Sequence, residues 1–267
     1  MTRPDGTSRV DRLLFALGWL GIAFLITPIV IIFPLSIDPS NYLRFPPTGF
    51  SFRWYETYLT SRPWIDSTLL SLEIALFASL LATVLGTGAA LALGQARFRG
   101  RGAASLVLLT PILLPHIVIA IAVYAVYALF GLVGTKLALV LAHSVLGIPF
   151  VMLNVASALR GVPAELDDAA MSLGASPLAT LFGVTLPLIW RGILAGAIFA
   201  FVVSFDEVVI AMFLSSSTTA TLPKRMLDGI FYDLTPVLAA VSALLVIFNI
   251  VLALIGLSLA GRRRAAA

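Results

Sequence analysis

Six stretches of this chain run for about twenty residues or more with little or no charge: Leu13 to Leu35, Ile74 to Gly94, Gly102 to Thr135, Leu137 to Leu159, roughly Leu188 to Leu214, and Leu234 to Gly261. A helix rises 1.5 Å per residue, so ~20 apolar residues cross a ~30 Å hydrocarbon layer and each run is long enough to span one. Backbone groups in lipid have to be bonded within their own segment, and runs without period-two alternation suit helices rather than barrel strands. The expected fold is an all-α membrane protein with six transmembrane helices in a single domain covering 1–267. Hydrophobic residues are 60% of the chain and charged residues 11%, with a mean hydropathy of +1.05, a balance that no water-soluble core of this length could bury. The first run exceeds the roughly 7 to 15 residue apolar core of a secretion signal and no A-x-A site follows, so it reads as a retained span.

Within and between these runs the sequence carries further punctuation. Pro28, Pro111, Pro115 and Pro149 sit inside or near spans and predict kinks or breaks. Small residues recur at four-residue spacing, Ala78, Ala82, Gly86, Ala90 and Gly94 in the second run and Gly192, Gly196, Ala200 and Ser204 in the fifth. Such stripes let helix backbones approach closely in lipid. With an even number of spans both ends share a side; that side holds eleven of the seventeen basic residues, including Arg97, Arg160 and Arg262, against six on the other. Cytoplasmic flanks are enriched in Lys and Arg, so residues 1–12, 160–187 and 262–267 are expected in the cytoplasm and 36–66 outside. The net charge of +4 is thus a topology signal, and no soluble module displays a basic patch for nucleic acid.

Residues 163–187 are the most polar long stretch of the second half. Pro163 suits the first turn of a helix, and Glu165, Asp167 and Asp168 place negative charge where exposed amides and the helix dipole favour it. Leu166, Ala169, Ala170 and Leu173 recur at i, i+3, i+4 and i+7 and form one apolar stripe. Gly174 can take the left-handed conformation that closes the helix, Ser176 caps a second helix with Pro177 at its first position, and Pro187 interrupts that helix before the next span. A small, alanine-lined stripe has little to bury in lipid and lets another protein approach closely, so docking is favoured over an interfacial connector.

The spacing Asp168-Ala169-Ala170, then Gly174, then Val184-x-Leu186-Pro187 resembles the cytoplasmic EAA loop of ABC importer permease subunits. Ser51-Phe52-x-Trp54-Tyr55, Ser204-Phe205-Asp206-Glu207-Val208 and Thr221-Leu222-Pro223-x-Arg225-Met226 extend the resemblance, toward the polyamine subgroup, over nearly the whole chain. The resemblance implies that the loop between the fourth and fifth helices is a coupling helix docking into a cytoplasmic ABC ATPase dimer, with Glu165, Asp168, Ala169, Ala170, Gly174, Leu186 and Pro187 as the coupling residues. It also implies a second permease subunit, as a heterodimer, an external solute-binding protein, a bacterial inner-membrane location, and a small, polyamine-like cationic cargo. An opine, amino acid or aminophosphonate cargo is the alternative. Asp168 stands where the family usually carries glutamate, which shortens the reach of that carboxylate.

No Walker A pattern is present, so ATP is expected to be used by the partner and no cofactor to be bound by this chain. Asp206 and Glu207 are the expected pathway residues, because carboxylates near a bilayer centre cost about 2.5 to 3.5 kcal/mol each and face water or a partner. Glu73 is expected to snorkel or to pair with Arg62, His116 and His143 to be structural, and Asn154 and Asn249 to bond across helices. The aromatic residues of 36–66, among them Tyr42, Phe50, Phe52, Trp54 and Tyr55, suit a membrane-surface anchor. Two histidines without cysteine make no metal site, and the absence of Gly-x-Ser-x-Gly and His-Glu-x-x-His disfavours an intramembrane enzyme. A passive channel would have no need of the 163–187 loop.

Overall fold

The computed structural model describes residues 9–95, 99–163 and 165–261; Arg3, Arg97, Arg262, Arg263, Arg264 and the terminal segments 1–8 and 262–267 of the expected topology lie outside them. All regular structure among the described residues is helical. In chain order the helices are α1 Arg9–Ser36, α2 Arg53–Thr60, α3 Arg62–Gln95, α4 Arg101–Leu113, α5 His116–Leu129, α6 Lys136–Leu159, α7 Glu165–Ser172 and α8 Pro177–Thr180. A π-helical stretch, Leu181–Thr185, then leads into α9 Leu186–Phe205, followed by α10 Val209–Leu214, α11 Leu222–Tyr232 and α12 Val237–Gly261.

Among the described residues five helical stretches are long and apolar enough to cross a membrane: Leu13–Ser36, Arg62–Gly94, Lys136–Leu159, Pro177–Phe205 and Val237–Gly256. The sixth expected span is broken. Helices α4 and α5, 13 and 14 residues long, meet at an angle of 106°. At 1.5 Å per residue each reaches only about 20 Å, too short to cross alone. The break lies where the proline ring bars its predecessor from the helical region: Leu114, before Pro115, is extended at φ −89°, ψ 142°. Pro111, by contrast, stays inside α4.

The chain divides into two compact units, 1–61 with 229–248 and 62–228 with 249–267. In the second, α3, α6 and α9 pack on one another, and the small-residue stripes lie in the contact. A Cβ on Gly86 would stand 2.7 Å from Val151 Cβ, one on Gly192 2.5 Å from Ala158 Cβ, and one on Gly196 2.8 Å from Val151 Cα. Gly147 of α6 supplies the third side, where a Cβ would meet Ala82 at 2.9 Å and Ala200 at 3.0 Å. Real Cβ atoms do not come this close, so these helices meet at a separation only glycine permits. Two apolar clusters fill the bundle, one around Ile74, Leu139, Leu146 and Ile210, the other around Ala82, Val151, Val155 and Ile189.

Glu73 does not pair with Arg62. Arg62 begins α3 eleven residues earlier, about 16 Å along the axis, whereas Lys136 at the start of α6 reaches Glu73 Oε2 at 2.6 Å. Asn154 donates to Phe150 O of its own helix at 2.8 Å rather than across to a neighbour, because an asparagine amide reaches the carbonyl one turn back without any partner helix.

In the first unit, α1 leaves its apolar side chains uncovered, Phe15, Leu20, Phe24 and Leu25 among them. The segment after it is knitted around Asp38, whose carboxylate accepts from Ser40 Oγ and from Thr48 N and Oγ1 at 2.9 and 2.8 Å. Trp54 is buried, with Nε1 donating to Asp38 O at 2.9 Å and Arg53 stacked over its ring, and Tyr55 OH bonds Ser36 Oγ at 2.6 Å. The aromatic cluster is therefore divided: Trp54 and Tyr55 hold the segment together, while Tyr42, Phe50 and Phe52 are exposed.

Candidate functional site

The sequence-predicted site residues fall in two places, the 163–187 loop and the corner after α9. In the loop, α7 begins with Glu165, Asp167 and Asp168 in its first turn. It ends in a Schellman motif: Ala175 N donates to Ala170 O at 3.1 Å, Gly174 N to Met171 O at 3.0 Å, and Gly174 stands at φ +91°. Ser176 Oγ accepts from Ala179 N at 3.2 Å and Pro177 opens α8, as the sequence leads one to expect.

Pro187 does not interrupt the helix. Leu186 N donates to Leu181 O, five residues back, and this wide turn accommodates the missing proline N–H, so helical structure runs from Pro177 to Phe205. Leu186 packs against the cluster that holds Ala90, Val155 and Ile189, and Pro187 is exposed on the first turn of α9.

Glu165, Asp168, Ala169 and Gly174 are exposed together around α7, with Ala170 half-buried. The apolar stripe has no cover: Leu166 is 42% exposed and Leu173 90%, joined on the following turns by Leu178 and Phe182. Space around Gly174 is open, with no atom within 4 Å of where a Cβ would be. The tie between the two halves of the loop was not legible beforehand. Thr185 Oγ1, buried, donates to Asp167 Oδ1 at 2.9 Å, linking α7 to the π-helical stretch. A polar pair 18 residues apart has no periodic signature, and only a chain reversal brings it together.

At the other place α9 ends at Phe205, and the two carboxylates that follow part company. Asp206, the C-cap, is exposed and held weakly by Asn249 Nδ2, 3.4 and 3.3 Å from its two oxygens. Glu207 is buried at 4% exposure. Its Oε1 accepts from Ile210 N at 2.9 Å, capping α10, and its Oε2 lies 2.8 Å from His116 Nδ1. His116 is the first residue of α5, directly after the break, so this contact fastens the bent pair to the corner. His143 of α6 adds a third fastening: its Nδ1 lies 3.1 Å from Ser204 O and 3.0 Å from Ser204 Oγ. Both histidines make structural contacts, His143 buried and His116 exposed, and Asn249 bonds across helices as expected.

The Thr221-to-Met226 motif is anchored on α3, where Leu222 N donates to Ser71 Oγ at 2.7 Å and Arg225 Nε to Ser67 Oγ at 2.6 Å. Among the described residues no group of three or more His, Cys, Asp or Glu is placed to hold a metal ion.

Fold and site together define a multi-pass helical membrane protein with an exposed, capped helical knob and a clasped acidic corner. Residues 82–264 match the family described as binding-protein-dependent transport system inner membrane component, and the chain belongs to that family. It is 32% identical to the spermidine/putrescine transport system permease protein PotC of Haemophilus influenzae, over 86% of this chain and 89% of that one. Against the putrescine transport system permease protein PotI of Escherichia coli K12 the identity is 31%, over 85% and 83%. A crystal structure of the bacterial alginate ABC transporter in complex with an alginate pentasaccharide-bound periplasmic protein contains a chain of similar fold, with a TM-score of 0.70, 15% identity and 95% and 96% coverage.

Proposed function

We propose that this chain is the membrane-spanning permease subunit of an ATP-driven importer for a small polyamine-like cation, coupled to a separate ATPase dimer through residues 163–187. The observation that carries the coupling is the uncovered knob: Leu166 and Leu173 exposed beside Glu165, Asp168 and Ala169, with open space at Gly174. An exposed apolar surface marks a docking site for a protein or for the membrane, and the small alanine-lined stripe favours a protein. Its helix is short and capped at its C-terminal end, and the Asp167–Thr185 bond braces it against the helical run that includes α9. A push on the knob is thereby transmitted to a helix that packs directly on α3 and α6.

The cargo reading rests on Asp206, an exposed carboxylate at a helix end, and on the polyamine relatives. A carboxylate of this kind attracts an ammonium and repels an anion. A second permease subunit completes the pathway, an external binding protein delivers cargo, and both chain ends and the 163–187 loop lie in the cytoplasm of a bacterial inner membrane. The eleven-to-six distribution of basic residues supports that orientation.

The decisive experiment is Gly174→Trp in the assembled transporter. A side chain at φ +91° strains the Schellman turn and projects an indole into the docking surface. ATP-driven spermidine uptake in proteoliposomes is expected to fall at least tenfold with the chain at normal abundance. Unchanged uptake rejects coupling through this loop.

A further inference from the structure

A cavity at the loop end of the second unit has no part in the transport reading above. Its volume is about 510 Å³, and it lies among α3, α4, α6 and the start of α7. The mouth carries Arg101, the first residue of α4, and Arg160, which follows the last residue of α6. Neither guanidinium has a hydrogen-bond or ion-pair partner among the described residues. Among the described residues of the lining Asp167 is the one carboxylate, and it accepts the Thr185 hydroxyl. The described lining therefore sums to a formal charge of +1, two arginines against one aspartate.

The rest of the lining is largely apolar. Ser105 lies one turn along α4 from Arg101 and Leu109 two turns, while on α6 Leu159 adjoins Arg160 and Met152 lies about two turns back. Leu109 is eight residues from Arg101, about 12 Å along the helix. Two arginines beside a hydrocarbon-lined wall, at the ends of membrane spans, complement an amphiphile with a phosphate at one end. Two unpaired guanidiniums favour phosphate, which they bind through forked hydrogen bonds, and basic pockets between transmembrane helices are a recurrent seat for lipid headgroups.

We infer that this cavity binds an anionic phospholipid, its phosphate between Arg101 and Arg160 and an acyl chain along Leu109, Met152 and Leu159. The net positive mouth selects a negatively charged headgroup over a zwitterionic one. Because Asp167 both lines the mouth and ties α7 to Thr185, the lipid buttresses the base of the exposed knob. The inference does not depend on which solute is carried.

The test uses the complete transporter containing this chain, purified in mild detergent and heated with phosphatidylglycerol, phosphatidylcholine or inorganic phosphate. A ligand bound by the folded state raises Tm. Phosphatidylglycerol is expected to raise it by several degrees, phosphatidylcholine by less and inorganic phosphate not at all. Arg101→Gln with Arg160→Gln abolishes most of that shift, and the double lysine variant retains part of it. An equal phosphatidylglycerol shift in the glutamine variant, an equal shift from inorganic phosphate, or no shift in the wild type overturns the site. A photo-crosslinker at Leu109 in intact membranes tests it where the glutamine variant fails to assemble. Capture of phospholipid is the expected result, and capture of an acidic protein segment instead overturns it.

Discussion

Adjacent carboxylates just past a helix end can have opposite duties when their burial differs. Glu207 is enclosed and engaged at both oxygens, by Ile210 N and by His116, whereas Asp206 is exposed and only loosely held by Asn249. Removing the imidazole leaves a buried carboxylate short of a partner, a loss of about 1–3 kcal/mol. His116→Ala is therefore expected to lower the Tm of the purified complex measurably. Asp206→Asn should leave Tm near wild type while lowering spermidine uptake per assembled complex about tenfold, the equivalent of 1.4 kcal/mol. Equal uptake in the asparagine variant removes Asp206 from the pathway, and an unmoved Tm in the alanine variant removes the clasp. Both carboxylates were legible as candidates from charge in an apolar run, since such a charge needs a partner or water. Their division of labour was not, because His116 and Glu207 are 91 residues apart and meet only through the bend at Leu114.

Helix packing in this molecule depends on side chains that are missing. Gly147 faces Ala82 and Ala200 with no room for a methyl group, so Gly147→Leu forces α3 and α9 away from α6. Overpacking of this kind costs about 1–3 kcal/mol where neighbours can shift and more where they are backbone or Cβ atoms, as here. A lowered Tm, or loss of the assembled complex, is the expected outcome, and Gly88→Leu is the control because no atom lies within 4 Å of its Cβ position. In the first unit, the Ser40 hydroxyl bond, opposed by desolvation and aided by the Thr48 contacts, holds Asp38 at about 2, below its ordinary 3.8. A depressed carboxylate stabilises the segment above its ordinary value, and that contribution is lost as pH falls through the folded value, in the window from about 4 to about 2. Since Trp54 donates to Asp38 O, its fluorescence is expected to report that loosening, and Asp38→Asn should abolish the dependence. The periodic stripes announced the helix contacts in advance. The break after Leu113 and the continuity through Pro187 were each decided by local geometry, an extended pre-proline residue in one case and a wide turn in the other.

Taken as a whole, the chain works as a lever only if its knob and its basic flanks face the ATPase. Leu173→Cys, the most exposed apolar position of the loop, is expected to react with an impermeant maleimide from the cytoplasmic side alone, and to be shielded when the ATPase is bound. Labelling from outside reverses the orientation and with it the coupling reading. What the amino-acid sequence determined by itself is what depends on neighbours a few residues apart: the spans, the caps of α7 and α8, the left-handed turn at Gly174 and the small-residue stripes, because helical periodicity and backbone sterics act locally. What only the tertiary structure decided are the meetings of distant residues: Glu73 with Lys136 rather than Arg62, Asp167 with Thr185, His116 with Glu207 and His143 with Ser204. A polar side chain in an apolar chain advertises that it needs a partner, but which partner it finds is set by the angles at which helices cross and break.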